Sequence, residues 1–315
     1  MSAFKPESKI YVPGHSGLLG TALLKELAAG GYNNVVTRSR KELDLTNQAA
    51  LASFWETEKP EYVILAAGLT GGIVANKTYP AEFLHQNLAI QDNCFELAVR
   101  HETKALIFLA SSCVYPKQSP QPMKEEYLFT GPIEETSEAY ALAKASGLIA
   151  CKSYNKQYQK TKFVCLLPNS MYGPNDNFDL ENSHVLAALV RKVHDAKTNQ
   201  TPITLWGSGS PEREFVYSED VANACLFTLQ NLDKIENQHY NIGSGNGISI
   251  RELAETICEV VGYQGEIQWD TSKPDGTPKK FLDSSKFLAL GWKNKMTLKQ
   301  GIGATYQWFL QNIKV

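Results

Sequence analysis

The 315-residue sequence has no excess of charge of either sign: 31 Lys and Arg stand against 33 Asp and Glu, a formal net charge of −2. That balance removes the general attraction on which binding to nucleic acid or to an anionic membrane rests, so neither is an expected partner. Any phosphate must be held by local groups. No window approaches the ~18 consecutive apolar residues of a membrane span, and the opening MSAFKPESKIYVPG lacks the basic stretch and apolar run of a secretory signal. The six cysteines (Cys94, Cys113, Cys151, Cys165, Cys225, Cys258) contain no CxxC pair. This argues against a zinc site or a disulfide framework and suits a reducing compartment, so the cytoplasm is the expected location and no metal is expected. Internal repeats and low-complexity tracts are also absent.

What is present is an alternation of short apolar runs with amphipathic stretches. Strands are expected at 9–13, 35–37, 62–67, 105–110 and 163–167, and helices at 17–29, 47–58, 80–100 and 138–159. Near-continuous apolar strands are those of a parallel sheet covered by helices on both faces. The expected fold class is α/β, a doubly wound parallel-sheet Rossmann domain. After Pro168 the chain turns loop-rich, with turn clusters at 171–179, 206–211, 241–245 and 273–278, and helices expected at 185–196, 249–261 and 298–310. The expected division is a dinucleotide-binding domain at 1–172 and 214–243, and a smaller C-terminal α/β substrate lobe at 173–213 and 244–315.

Directly after the first strand stands GxxGxxG: Gly14, His15, Ser16, Gly17, Leu18, Leu19, Gly20. Glycines there allow a tight turn and close approach of a pyrophosphate to the amides opening a helix. The end of the second strand reads Thr37-Arg38-Ser39-Arg40-Lys41, with no acid before Glu42. An acid there would bind a ribose 2′-hydroxyl, whereas cations attract a 2′-phosphate, so NADP(H) is the expected cofactor. Asp44 is similar to the acid that dehydrogenases of this type place near the adenine; a helix N-cap is the other reading.

Tyr140 and Lys144 form YxxxK, which on a helix puts both side chains on one face. Tyr158 and Lys162 have the same spacing but run out of that helix into the fifth strand, so location favours the first pair. To act as an acid–base near neutral pH, a Tyr must fall ~2 units from its reference near 10, which a neighbouring ammonium helps supply. Ser111 ends the fourth strand, where side chains reach the ligand crevice; Cys113, two residues on, is expected on the same strand face, with Ser112 pointing elsewhere.

Together these motifs resemble the extended short-chain dehydrogenase/reductase family over the whole chain. Six further segments narrow the resemblance: Gly71-Gly72-Ile73-Val74-Ala75-Asn76, Ser111 to Lys117, Asn182-Ser183-His184-Val185, Trp206-Gly207-Ser208-Gly209, Arg213-Glu214-Phe215 and 273–278. They are similar to those of the GDP-L-fucose synthase branch. The resemblance implies a bifunctional 3,5-epimerase and 4-reductase acting with NADPH on a GDP-linked 4-keto-6-deoxy sugar. It implies Ser111, Tyr140 and Lys144 for reduction, with Cys113 as base and His184 as acid for epimerisation. It also implies that Ala66, Ala67, Pro168, Asn169 and His184 line the cofactor, beside Gly14, Ser16, Gly17, Leu18, Leu19, Gly20, Arg38, Arg40, Asp44, Tyr140 and Lys144. Asn169, Lys192, Trp206, Arg213 and Asp275 would line the GDP site; Lys192 stands where the family often has arginine, whose bidentate fork lysine lacks. A homodimer paired through the helices near Ala89 and Ile149 is also implied. The 4,6-dehydratases of the fold carry an Asp-Glu pair where Ser112-Cys113 stands here. An epimerase/reductase or a reductase-only enzyme on a related GDP-4-keto sugar, of colitose or heptose type, is the alternative. A cofactor-sensing module without chemistry fits poorly with an intact Ser111, Tyr140 and Lys144.

Overall fold

The computed structural model describes residues 4–180, 182–273 and 275–313, so Pro274 of the 273–278 segment lies outside the described residues. Alternation in the first half yields β1 (Ile10–Tyr11), α1 (Leu18–Ala29), β2 (Val35–Val36), α2 (Gln48–Glu58), β3 (Tyr62–Leu65), α3 (Ile73–Thr78), α4 (Pro80–Arg100), β4 (Ala105–Leu109), α5 (Glu138–Gln157) and β5 (Lys162–Pro168). There follow β6 (Ser170–Tyr172), α6 (Val185–Asn199), β7 (Ile203–Trp206), β8 (Glu212–Tyr217), α7 (Ser218–Gln230), β9 (His239–Ile242), β10 (Gly247–Ser249), α8 (Ile250–Val261), β11 (Ile267–Asp270), β12 (Lys279–Lys280), α9 (Ser285–Leu288) and α10 (Leu298–Asn312).

The main sheet runs β2-β1-β3-β4-β5-β9 with every pair parallel. Successive strand residues point to opposite faces and both faces are buried. Ile10, Ile64, Ile107 and Val164 pack with Leu23 of α1 and Val221 of α7, whereas Tyr11, Val63, Leu106 and Phe163 pack with Trp55, Phe95 and Leu148 of α2, α4 and α5. The strand order reverses between β1 and β3, which opens a crevice at their carboxyl ends. A third core cluster joins α6, α8 and α10 to β6, β7 and β8 through Val190, Ile257, Phe309, Tyr172, Leu205 and Phe215.

Three turn expectations need correction, the first because Met171 and Tyr172 belong to β6 and the turn follows them. Residues 239–242 form β9, the sixth strand of the main sheet, and the turn begins only at Gly243; likewise Trp206 ends β7 and the turn follows it, with Gly207 and Gly209 at positive φ. Polar residues disguised β9: His239 and Asn241 are buried, and Tyr115 Oη hydrogen-bonds both.

Candidate active site

At the switch point the chain folds back where only glycine fits. Gly14 has φ +83°, and a Cβ there would lie 2.5 Å from the Ala67 nitrogen, so β1 and β3 meet backbone to backbone. A Cβ on Gly20 would lie 2.0 Å from the Gly14 carbonyl oxygen. Gly17 differs: its nearest outside atom would be 3.5 Å from a Cβ, it is exposed, and it caps α1 without a side-chain hydrogen bond. The first-turn amides of α1, including those of Leu18 and buried Leu19, therefore present the partial positive charge of a helix N-terminus beside exposed Ser16. Asn175, from the loop after β6, donates to the Ser16 carbonyl at 2.7 Å and fixes the rim of this turn. Ala66 and Ala67 form the opposite wall, half-buried just beyond β3.

The cations after β2 are not equivalent. Arg38 stacks on Phe54 at 5.5 Å and pairs with Glu58 at 2.7 Å, a carboxylate shared with Lys9. Arg40 is exposed and reaches only the neutral Gln86 amide at 3.4 Å, while Glu42 is turned onto Ser39. Asp44 accepts from the Thr46 amide and hydroxyl at 2.9 and 2.8 Å. The N-cap of α2 is Asn47, which accepts from Ala50, so the capping alternative for Asp44 is set aside.

The catalytic candidates converge from two elements. β4 ends at Leu109; Ser111 is extended, and Ser112–Val114 form a single 3-10 turn. The expectation that Ser111 and Cys113 share a strand face is thus corrected: the turn, not a strand, brings the thiol beside the serine. The Ser111 hydroxyl lies near both the Cys113 thiol and the Tyr140 hydroxyl and lowers both pKa values against the effect of burial. Ser112 does point elsewhere, its hydroxyl donating to Asn169 at 3.3 Å. Buried Lys144 donates to the Leu109 carbonyl at 3.0 Å, with its ammonium over the Phe108 and Tyr140 rings at 5.0 and 5.8 Å. The rival pair separates, Tyr158 ending α5 and Lys162 donating to the Leu232 carbonyl at 2.6 Å.

Burial decides the protonation states. It pushes Lys144 down to about 8 and raises the Cys113 thiol, although Lys280, Ser111 and Lys144 oppose the latter. Tyr140 is raised as well, by burial first and by Cys113 second. In the protein alone burial thus outweighs any lowering by the Lys144 ammonium, which lies over the tyrosine ring and donates to a carbonyl. A neutral phenol is nevertheless the form that donates a proton to a ketone oxygen. His184, exposed, is the N-cap residue of α6; desolvation first and Lys280 second push its imidazole down. At rest the pair is therefore a thiol and a neutral imidazole.

The remaining candidates split. Arg213, half-buried, donates to the Glu212 and Thr277 carbonyls, both at 2.7 Å. Trp206 is 72% exposed with Lys273 over its ring at 5.8 Å, and Lys192 is half-buried on α6. Asp275 accepts from the Ser208 amide and hydroxyl at 2.8 and 2.7 Å, so it holds the turn that follows Trp206. Pro168 pairs with Ile242 in the main sheet, and the next residue, Asn169, is 5% exposed with its side chain engaged by Glu214, Ser112 and Ser170. One residue escaped the sequence reading. Lys280, on β12 and in register with Arg213 of β8, is the charge that acts on both Cys113 and His184. Only strand pairing brings it there, and no motif marks it.

With this geometry in view, the chain matches over residues 10–243 the model of the NAD dependent epimerase/dehydratase family. The chain belongs to that family. Among its relatives, "Putative GDP-L-fucose synthase 2" of Arabidopsis thaliana is 50% identical over 97% of this chain and 93% of its own length. "GDP-L-fucose synthase" of Escherichia coli K12 is 43% identical over 97% and 98%. Of solved structures, "MlghC, GDP-mannoheptose C4 reductase" from Campylobacter jejuni, with NADP bound, is 40% identical and superposes with a TM-score of 0.90 over 98% of this chain and 100% of that one.

Proposed function

We propose that the protein is an NADPH-dependent 3,5-epimerase and 4-reductase that converts GDP-4-keto-6-deoxy-D-mannose to GDP-L-fucose. The observation that carries the reading is the convergence on Ser111: its hydroxyl lies near both Tyr140 and Cys113, so an oxyanion site and a proton-transfer group adjoin. The relatives of 43–50% identity that bear the GDP-L-fucose synthase name support it.

The residues present fit NADP(H). Gly17 is open to a ligand although its backbone has room for a side chain, and exposed Arg40 forms no ion pair among the described residues. The amides at 17–20 would hold the pyrophosphate, and Arg38 and Arg40 the 2′-phosphate, with Asp44 near the adenine. When bound, the cofactor supplies the hydride for C4. Tyr140 gives its proton to O4, Ser111 donates to the same oxygen, and Lys144 fixes the ribose side. C3 and C5 are acidic because each lies α to the ketone; Ser111 and Tyr140 hold the enolate oxygen while Cys113 and His184 move protons on opposite faces. Arg213, Lys192 and Lys280 meet the pyrophosphate of GDP, and Trp206 gives the base a flat apolar contact. In this reading the cofactor is bound by 1–172 and 214–243, and the sugar nucleotide by 173–213 and 244–315. The chain works in the cytoplasm as a homodimer paired through α4 and α5, where Leu142 and Ile149 are exposed beside a groove of about 380 Å³ lined by Leu88, Ala89 and Ala150.

The test is NADPH consumption with GDP-4-keto-6-deoxy-D-mannose in D2O, followed by NMR of the product. Deuterium at both C3 and C5 in GDP-L-fucose supports the reading. Reduction without deuterium would instead favour the reductase-only alternative, to which the similarity to a GDP-mannoheptose C4 reductase lends weight.

A further inference from the structure

Beneath the cleft lies a carboxylate that this chemistry does not use. Glu214, in β8, is 1% exposed. Its Oε1 accepts from the Gly245 amide at 2.7 Å, its Oε2 from the Leu282 amide at 2.9 Å and from Asn169 Nδ2 at 2.6 Å, and the Ser244 amide is a fourth donor. A buried carboxylate is costly unless its oxygens are hydrogen-bonded, and here the donors are N–H groups from three separate segments. They are the end of β5, the chain leaving β12 and the loop after β9. The site is closely fitted, since a Cβ on Gly243 would lie 2.4 Å from Oε1.

Asn169 extends this tie toward the chemistry. Its Nδ2 also donates to the Lys280 carbonyl at 3.3 Å, and its Oδ1 accepts from the Ser170 amide at 3.0 Å and from the Ser112 hydroxyl at 3.3 Å. Ser112 opens the turn that carries Cys113. A path of side-chain hydrogen bonds therefore runs from the neighbour of Arg213 to the neighbour of Cys113, with the Lys280 backbone on the same amide.

We propose that Glu214 is a positioning residue: through Asn169 it holds the Ser112–Val114 turn, and with it the Cys113 thiol, in register with the strands that carry Arg213 and Lys280. The inference rests on the epimerase–reductase reading. It assigns Glu214 to the epimerisation half, because Tyr140 and Lys144 are held by α5 and by the Leu109 carbonyl instead.

Glu214→Gln preserves size but presents an NH2 to N–H donors. Exchange of deuterium into C3 and C5 of GDP-4-keto-6-deoxy-D-mannose is expected to fall at least about tenfold, with NADPH oxidation on the pre-epimerised ketone, GDP-4-keto-6-deoxy-L-galactose, reduced less than about threefold. Ser112→Ala, which removes only the far link, is expected to lower exchange by about threefold, and the double variant to be no worse than Glu214→Gln alone, because both act through one path. Equal loss of exchange and reduction, wild-type exchange in Ser112→Ala, or additive losses in the double variant would each overturn the proposal. Should Glu214→Gln not fold, Ser112→Ala decides alone. Absence of exchange in the wild-type protein would instead sink the epimerase reading, and this inference with it.

Discussion

The two walls of the cleft are built on opposite principles. Around Gly14, Gly17 and Gly20 the backbone itself is the functional group, and what matters is the absence of side-chain atoms. Around Ser111, Cys113, Asn169 and Glu214 the side chains matter, and they are held by one another from elements far apart in sequence. The first wall is local: β1, the turn and the start of α1 follow one another within 20 residues. The second needs β4, β5, β8 and β12 to be in register before any of its hydrogen bonds exists. A backbone site is therefore readable as a motif, whereas a side-chain site is readable only in part.

Substitutions at the glycines sharpen this contrast most strongly. Gly20→Ala forces a Cβ to 2.0 Å from a carbonyl oxygen and is expected to destabilise the fold by more than about 3 kcal/mol, read from the urea midpoint. Gly17→Ala meets nothing closer than 3.5 Å, so stability should stay within about 0.5 kcal/mol of wild type. Its NADPH affinity should nevertheless fall at least about tenfold, because the methyl stands where the pyrophosphate approaches. Unchanged affinity in the Gly17 variant would mean that the pyrophosphate does not approach the backbone at Gly17. Next in size, Arg40→Ala should weaken NADPH by about tenfold and leave NADH unchanged, measured by fluorescence titration. Arg38→Ala should do less, since its guanidinium already faces Glu58.

The smallest expected effect is in pH. Lys144, pushed down to about 8, loses its charge as pH rises through that value, so NADPH oxidation on the pre-epimerised ketone should decline above it. Exchange needs one proton on the two groups together, Cys113 and His184; burial raises the thiol above its ordinary value of 9.0 and lowers the imidazole below its ordinary 6.5. A proton shared by such a pair gives a rate that is flat between the two pKa values, whichever group holds it. Exchange should therefore persist at pH 8.5 while reduction falls; parallel profiles would contradict the assignment of separate groups.

Most of the main sheet was legible because its strands are apolar on both faces and its helices begin at recognisable signals, such as Asn47 before α2 and Pro80 at the head of α4. β9 escaped because its buried His239 and Asn241 imitate turn chemistry until Tyr115 is seen to hydrogen-bond them. In the site, Ser111, Tyr140 and Lys144 were visible from spacing and from their place after β4. The manner in which Cys113 reaches them was not, since a strand and a 3-10 turn cannot be told apart over three residues. Lys280 and Glu214 left weaker traces still. Glu214 was marked only as the middle of the Arg213-Glu214-Phe215 segment, an acid followed by the apolar Phe215 and Val216, a pattern that names no partner.

The central claim is that one cleft carries two chemistries on separable side chains. Cys113→Ala tests it most directly, with deuterium exchange at C3 and C5 and NADPH oxidation on the pre-epimerised ketone measured side by side. The account predicts that exchange falls by about a hundredfold or more while reduction stays within about threefold of wild type. Exchange that survives the loss of the thiol, or reduction that falls with it in equal measure, would contradict it.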